Sequence, residues 1–453
     1  MNKAAFLTLL LLSSLSFADS VTQTWVKTYN NPSNLEDIAI DIAADSSGNV
    51  YVAGMSNTSY GTYDITLIKY SPTGVQQWVK SYDSSFNRND IVRAIAIDSS
   101  GNIFVAGQSN LVTGSTDCRL LKYNSAGTLQ WAVNYRASGS TSDHCFSDVV
   151  TDSAGNAYVT GVCTTTATGQ DYITAKYNSS DGAPAWVKTF NSSGTANDFA
   201  MDIALDSSNN VYVAGNSGIF KYNGSTGGKQ WTVESDMPHN KIAVDASGNI
   251  YFYNPVLPLT VLKYNSLGTK LWESAYTSGS DNVSPTDIVV DPCGNCFVCG
   301  TFSTTGIATV KFSSTGEFLW DSIHPITGTS YCPSALACDQ WGNTYLSTVY
   351  NSSLMTYKND SDGEEIWNMT YAGSFTATTL PTIFVRSGEV YVASSGTVSG
   401  QANNLFTIQY NQKFCKAYRL GDVNKDCKID FLDFAAMAQF WMECNKYPSS
   451  ECN

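Results

Sequence analysis

Five oxygen-bearing side chains near the C-terminus are spaced in a way that suits a metal ion. Asp422, Asn424, Asp426, Asp430 and Asp433 fall at positions 1, 3, 5, 9 and 12 of one loop, and Lys428 places a backbone carbonyl at position 7. Hard oxygen ligands in that register wrap one Ca2+, so calcium is the expected cofactor. A second set, Asp41, Asp148, Asp202 and Asp287, is scattered along the chain but holds one place in a repeating pattern. Gathered into a ring, these carboxylates could hold a cation or a polyhydroxylated ligand. The simpler expectation is that each accepts backbone N–H groups of a neighbouring loop. No catalytic residue stands out: His144, His239 and His324 are isolated, and HExxH, GxSxG and P-loop patterns are missing.

The chain has 12 cysteines, more than a reduced cytosolic protein usually carries, which points to an oxidising compartment. A hairpin register that pairs Asp152 with Asn156 also pairs Cys145 with Cys163, so a disulfide is expected there. Cys293, Cys296 and Cys299 form C-x-x-C-x-x-C, with Cys332 and Cys338 downstream. These five read either as a thiolate metal site or, preferably, as disulfide partners. Cys415, Cys427, Cys444 and Cys452 are expected to staple the last segment, and Cys118 is left over.

The elements that must position these groups are strands. Charged residues make up only 14% of the 453, aromatics 12%, and there are 34 glycines, a balance that favours strands and turns over exposed helices. With Lys+Arg 25 against Asp+Glu 39, the net charge of −14 repels a phosphate backbone, so nucleic acid is excluded as an expected partner. Lys3, the apolar run from Ala4 to Leu15 and then Ser16-Phe17-Ala18 have the pattern of a secretory signal cleaved after Ala18. No other stretch is apolar enough for a transmembrane span.

The pattern D-x-x-G-N-x-(Y/F)-V begins at Asp45, Asp98, Asp152, Asp206, Asp245, Asp291 and Asp339, with Asn209 in place of Gly in the fourth copy. A degenerate eighth copy runs from Val385 to Val392. The mean step of about 49 residues lies in the range of propeller blades. Each unit holds four short apolar runs, strands A to D, separated by turn residues. Strand C ends at Tyr70, Tyr123, Tyr177, Tyr222, Tyr264, Phe312, Tyr357 and Tyr410, while the strand D tryptophans run from Trp25 to Trp367. The first tryptophan therefore precedes any strand A, and the N-terminal strand is expected to close the last blade. The predicted fold is all-β: an eight-bladed propeller over 19–411, a signal peptide over 1–18, and a small module of calcium loop and helix over 412–453.

The run of Asp-x-x-Gly-Asn-x-Tyr-Val followed by Lys-Tyr-Asn-x-x-Gly-x-x-x-Trp resembles the SBBP-type β-propeller repeat family over about residues 21–411. The family name implies seven blades, whereas the markers here count eight. The hairpin from Tyr222 to Trp231 also resembles the tryptophan-docking repeats of quinoprotein dehydrogenases. The segment from Gly421 to Asp433 and the following Phe431–Trp441 resemble half of a type I dockerin, with its EF-hand-like loop. Cys427 stands where Gly is usual, and the second calcium repeat is missing. That resemblance implies a cohesin-like partner for the tail.

The expected function is a secreted, calcium-binding scaffold that binds protein or glycan, with the tail docking it to an extracellular protein, a polysaccharide or the cell surface. The alternative is an extracellular polysaccharide-active enzyme or lectin whose site lies among the B–C and D–A loops, which vary in length and emerge on one face. Enzymatic activity is the less favoured reading.

Overall fold

The repeated turns show why the sequence breaks into short strands. In the computed structural model, Asp98 Oδ1 accepts the N–H groups of Ser100 and Asn102 at 2.9 Å each, and its Oδ2 accepts the Asn102 amide at 2.7 Å. Gly101 takes φ +77° and returns its N–H to the Asp98 carbonyl. One carboxylate thereby satisfies the whole turn, a type I turn completed by a left-handed residue. The same bonds recur at Asp45, Asp152, Asp206, Asp245, Asp291 and Asp339. Asn209 adopts φ +60° in place of glycine, which its short polar side chain tolerates. The degenerate copy differs: Ser387 and Gly388 are both left-handed, a tight two-residue hairpin between Arg386 and Glu389.

Each unit is a meander of four antiparallel strands, A-B-C-D. Blade 1 comprises Asp37–Ala44, Val50–Asn57, Tyr63–Tyr70 and Gln76–Tyr82, and blade 2 comprises Asp90–Ile97, Ile103–Asn110, Thr116–Tyr123 and Leu129–Tyr135. Strands B and C are covered on both faces by adjoining blades, so Val50, Tyr51, Val52 and Ala53 are all 0% exposed and read as an unbroken apolar run. Strand D lies outermost and is half polar. Neighbouring A strands touch in sequence order, and Thr382–Arg386 of blade 8 returns to Asp37–Ala44 of blade 1, closing a ring of eight. Ser20–Tyr29 pairs with Asn403–Lys413 as strand D of blade 8. The count of eight and the closure by the N-terminal strand are as the sequence markers imply; the seven of the family name does not apply.

Blades are keyed together by tryptophan. Trp186 of blade 3 donates Nε1–H to the Gly224 carbonyl of blade 4 at 3.0 Å, and Trp25, Trp131, Trp231, Trp272 and Trp320 make the equivalent bond to the next blade's C–D turn. Trp367 finds no acceptor among the described residues. Blade 8 is assembled from both ends of the chain and has no C–D turn to offer one.

The structure describes residues 20–413 except 59–60, 85–87, 111–113, 139, 141–142, 193–196, 235–240, 255–257, 278–282, 303–305, 326–333 and 376–379. The signal segment 1–18, His239, Cys332, the calcium-loop residues Asp422 to Asp433 with their helix, and Cys415, Cys427, Cys444 and Cys452 lie outside the described residues. Among the described residues no helix is long and apolar enough to cross a membrane.

The cysteine register needs correction. Cys145 and Cys163 are free thiols. A β-bulge between Phe146 and Asp148 shifts the pairing by one residue, so Cys145 faces Val162, and Cys163 projects from the other face. Cys296 and Cys299 are also free, and three residues apart on one strand they enter separate cores, one beside Val298 and Tyr251, the other beside Phe297 and Leu346. Alternation along the strand therefore prevents both from joining one thiolate site.

Candidate functional site

The A strands line a central channel, and their middle residues decide what it can do. Asp41, Asp148 and Asp287 each accept the N–H of the following residue on Oδ1, at 2.8, 2.7 and 2.9 Å. Their Oδ2 atoms reach across to strand A of the next blade, accepting the N–H groups of Ile95 at 2.9 Å, Ile203 at 3.1 Å and Leu336 at 2.9 Å. Asp202 does the same to Ile242 at 2.8 Å, while its Oδ1 lies 3.5 Å from Lys241 Nζ. The donors belong to the adjacent inner strand, not to a loop. Four carboxylates thus latch blade 1 to 2, 3 to 4, 4 to 5 and 6 to 7. Their remaining partners are few, and burial raises the carboxyl pKa of Asp41 and Asp287. Asp148 is raised further by the charge of Asp202 beside it.

Each latch follows a β-bulge, which adds one residue to strand A and turns that residue toward the channel. The extra residues are Ile40, Ser147, Met201 and Thr286, and blade 2, bulged at the same place without an aspartate, contributes Arg93. All five line a cavity of about 460 Å³ in the channel, together with Lys241 and Leu380. Asp202, then Asp287, Asp148 and Asp41, hold the Lys241 ammonium firmly charged. The cavity therefore presents two cations and a set of mutually different side chains above a floor of hydrogen-bonded carboxylates.

The structure sets the four aspartates at one level of the inner strands, each bonded to the next strand A, while Arg93, Met201 and the other bulged residues beside them were not singled out by the sequence pattern. A bulge leaves no mark of its own in the sequence except the position before each latch. Replacing one latch tests its structural weight. In Asp287→Asn a single carbonyl oxygen must serve two N–H groups, so one buried donor faces an NH2. The expected cost is about 1–3 kcal/mol, read as a lower denaturation midpoint; an unchanged midpoint would show that the latch carries no stability.

The described histidines are packing residues. His144 is 0% exposed and its Nδ1 accepts the Thr164 N–H at 3.2 Å. His324 stacks on Tyr357 with ring centroids 3.8 Å apart, and its Nδ1 stands 3.2 Å from Glu365 Oε2. Burial lowers the pKa of both.

Two comparisons bear on this architecture. The family described as SBBP: Beta-propeller repeat matches residues 34–61 and 86–110, the strand A and B portions of blades 1 and 2. Among solved structures, the chain is similar to BamB from Moraxella catarrhalis at 15% identity and TM-score 0.54, covering 88% of this chain and 99% of that one. It is also similar to the Dos1 propeller at 11% identity and TM-score 0.55, covering 86% and 94%. No curated protein matches the sequence. At these identities the likeness concerns the fold: the described residues form an eight-bladed, all-β propeller, and the SBBP-type repeat model matches parts of its first two blades.

Proposed function

We propose that the protein is an exported binding scaffold that takes a protein or glycan ligand at the channel mouth. The observation that carries this reading is the bulge row. One structural position, repeated around the ring, holds Ile40, Arg93, Ser147, Met201 and Thr286. Repeats that keep their turns and latches nearly identical vary where the side chain faces the cavity, as a rigid frame with an adaptable surface would. Exposed Met201 and Leu380 add apolar contact beside the cations Arg93 and Lys241.

The leader around Lys3 and Ala18 supports export. The spacing of Asp422, Asn424, Asp426, Lys428, Asp430 and Asp433 supports one Ca2+ in a tail that docks the propeller to a cohesin-like or other extracellular partner. A glycan and protein array on the mature chain should identify a ligand, and Arg93→Glu with Met201→Asp should weaken it at least about tenfold while leaving thermal stability unchanged, since both side chains face the channel. A ligand held equally by the double variant would place binding elsewhere.

A further inference from the structure

The junctions between blades can be compared residue by residue near the start of each strand A. Three positions meet there: the fifth residue after the strand D tryptophan, a residue at the start of strand C, and the residue four before the latch position. Between blades 2 and 3 these are Arg136, Asp117 and His144, and the Arg136 guanidinium pairs with Asp117 at 2.5 Å. Between blades 1 and 2 the same positions hold Asp83, Asp64 and Asp90. A built-in cation is thus replaced by a third carboxylate. One oxygen from each of the three lies within 4.8 Å of the others.

Asp90 supplies an independent sign. It is 0% exposed, and its Oδ2 accepts the Ser84 N–H at 2.8 Å; the Ser109 and Ser84 hydroxyls lie beside the carboxylate, but Oδ1 has no partner at hydrogen-bond distance among the described residues. Its counterparts bond the same N–H six residues back, yet satisfy the second oxygen as well. Asp37 Oδ1 takes the Asn31 amide at 3.0 Å, and Asp198 Oδ1 takes the Ser217 hydroxyl. The cation whose charge reaches Asp90 is Arg119, which donates its Nε–H to Ser109 and lies over the Tyr82 ring. A buried carboxylate oxygen left bare, facing two more carboxylates, is costly unless a positive charge joins it.

We propose that Asp64, Asp83 and Asp90 bind one hard divalent cation, Ca2+ by preference, which joins blade 1 to blade 2. Oxygens held about 2.3–2.6 Å from one ion stand at most about 5 Å apart, as these do, and water or backbone carbonyls complete the shell.

The test uses the full mature chain carrying Asp422→Ala and Asp426→Ala, so that the tail loop is silent, stripped with a chelator and titrated with CaCl2 by calorimetry and thermal melting. One Ca2+ per chain and a rise in Tm are expected. Asp83→Arg, which copies the blade 2 ion pair, should abolish the calcium heat and hold the chelator Tm at or above that of its parent. Asp83→Asn should weaken binding at least about tenfold and leave the fold intact. The proposal is overturned by a parent that neither takes up calcium nor melts higher with it, or by an Asp83→Arg protein that binds calcium as the parent does.

Discussion

A chain that begins at Asn30, without Ser20–Tyr29, is expected to lose its cooperative transition or melt at least about 10 °C lower, and to associate. The missing strand pairs along Asn403–Lys413 from Ser20 to Tyr29. Its Trp25, 7% exposed, sits between Tyr70 and Tyr391 with ring centroids 5.8 and 6.3 Å away and donates to the Pro72 carbonyl of blade 1. The strand therefore finishes blade 8 and docks blade 8 on blade 1. Truncating such a tryptophan alone costs about 3–5 kcal/mol, and in a large domain each kcal/mol moves Tm by roughly 2–4 °C. The bared strand offers a row of unpaired backbone groups to another copy. Calorimetry and size-exclusion chromatography read both effects, and a peptide of residues 20–29 added in trans should reverse them. A truncated monomer that melts with the intact protein would mean that the ring is held without its closing strand.

Trp186→Ala is expected to destabilise the protein by about 3–5 kcal/mol in equilibrium denaturation, and Gly227→Ala by more than a matched glycine control. Trp186 lies against Tyr158 and Tyr222, at 6.1 and 6.4 Å between centroids, and its indole covers Gly227 of the next blade. A Cβ at Gly227, where φ is +66°, would meet the Trp186 ring at 2.7 Å and Lys188 at 2.8 Å. Gly114 also has positive φ, at +87°, but nothing lies within 4 Å of its Cβ position. Gly114→Ala therefore reports backbone strain alone, about 1 kcal/mol, and the excess at Gly227, about 1–3 kcal/mol, measures the steric conflict across the blades. Equal costs at the two glycines would show that the tryptophan yields freely and that the docking contact is loose.

Local chemistry explains what could be read in advance. The Asp-x-x-Gly-Asn turn closes on itself through Asp98 and Gly101, so its recurrence marked every hairpin, and the tryptophan before the first strand A required the ends to meet. Family resemblance pointed to propeller repeats, while the count of eight came from the residues. The four latch aspartates were placed on the inner strand for the same reason, since strand A is defined by the turn that ends it.

What the sequence by itself determined, then, was the hairpins, the number of blades and the closure, because each depends on contacts between residues close in the chain or on a repeated count. The tertiary structure decided how strand A bulges, and with it which side chains reach the channel and which cysteines face each other. Cys145 and Cys163 are opposite in an unbroken ladder, but one extra residue before Asp148 sends them to different faces. The same extra residue turns Met201 and Arg93 into the cavity. The Asp64, Asp83 and Asp90 cluster likewise joins residues from three elements of two blades, and only the angle between those blades brings their oxygens within reach of one ion. Strand alternation is a period of two, so a single inserted residue reverses every facing that follows it, and packing between blades fixes where that insertion is tolerated.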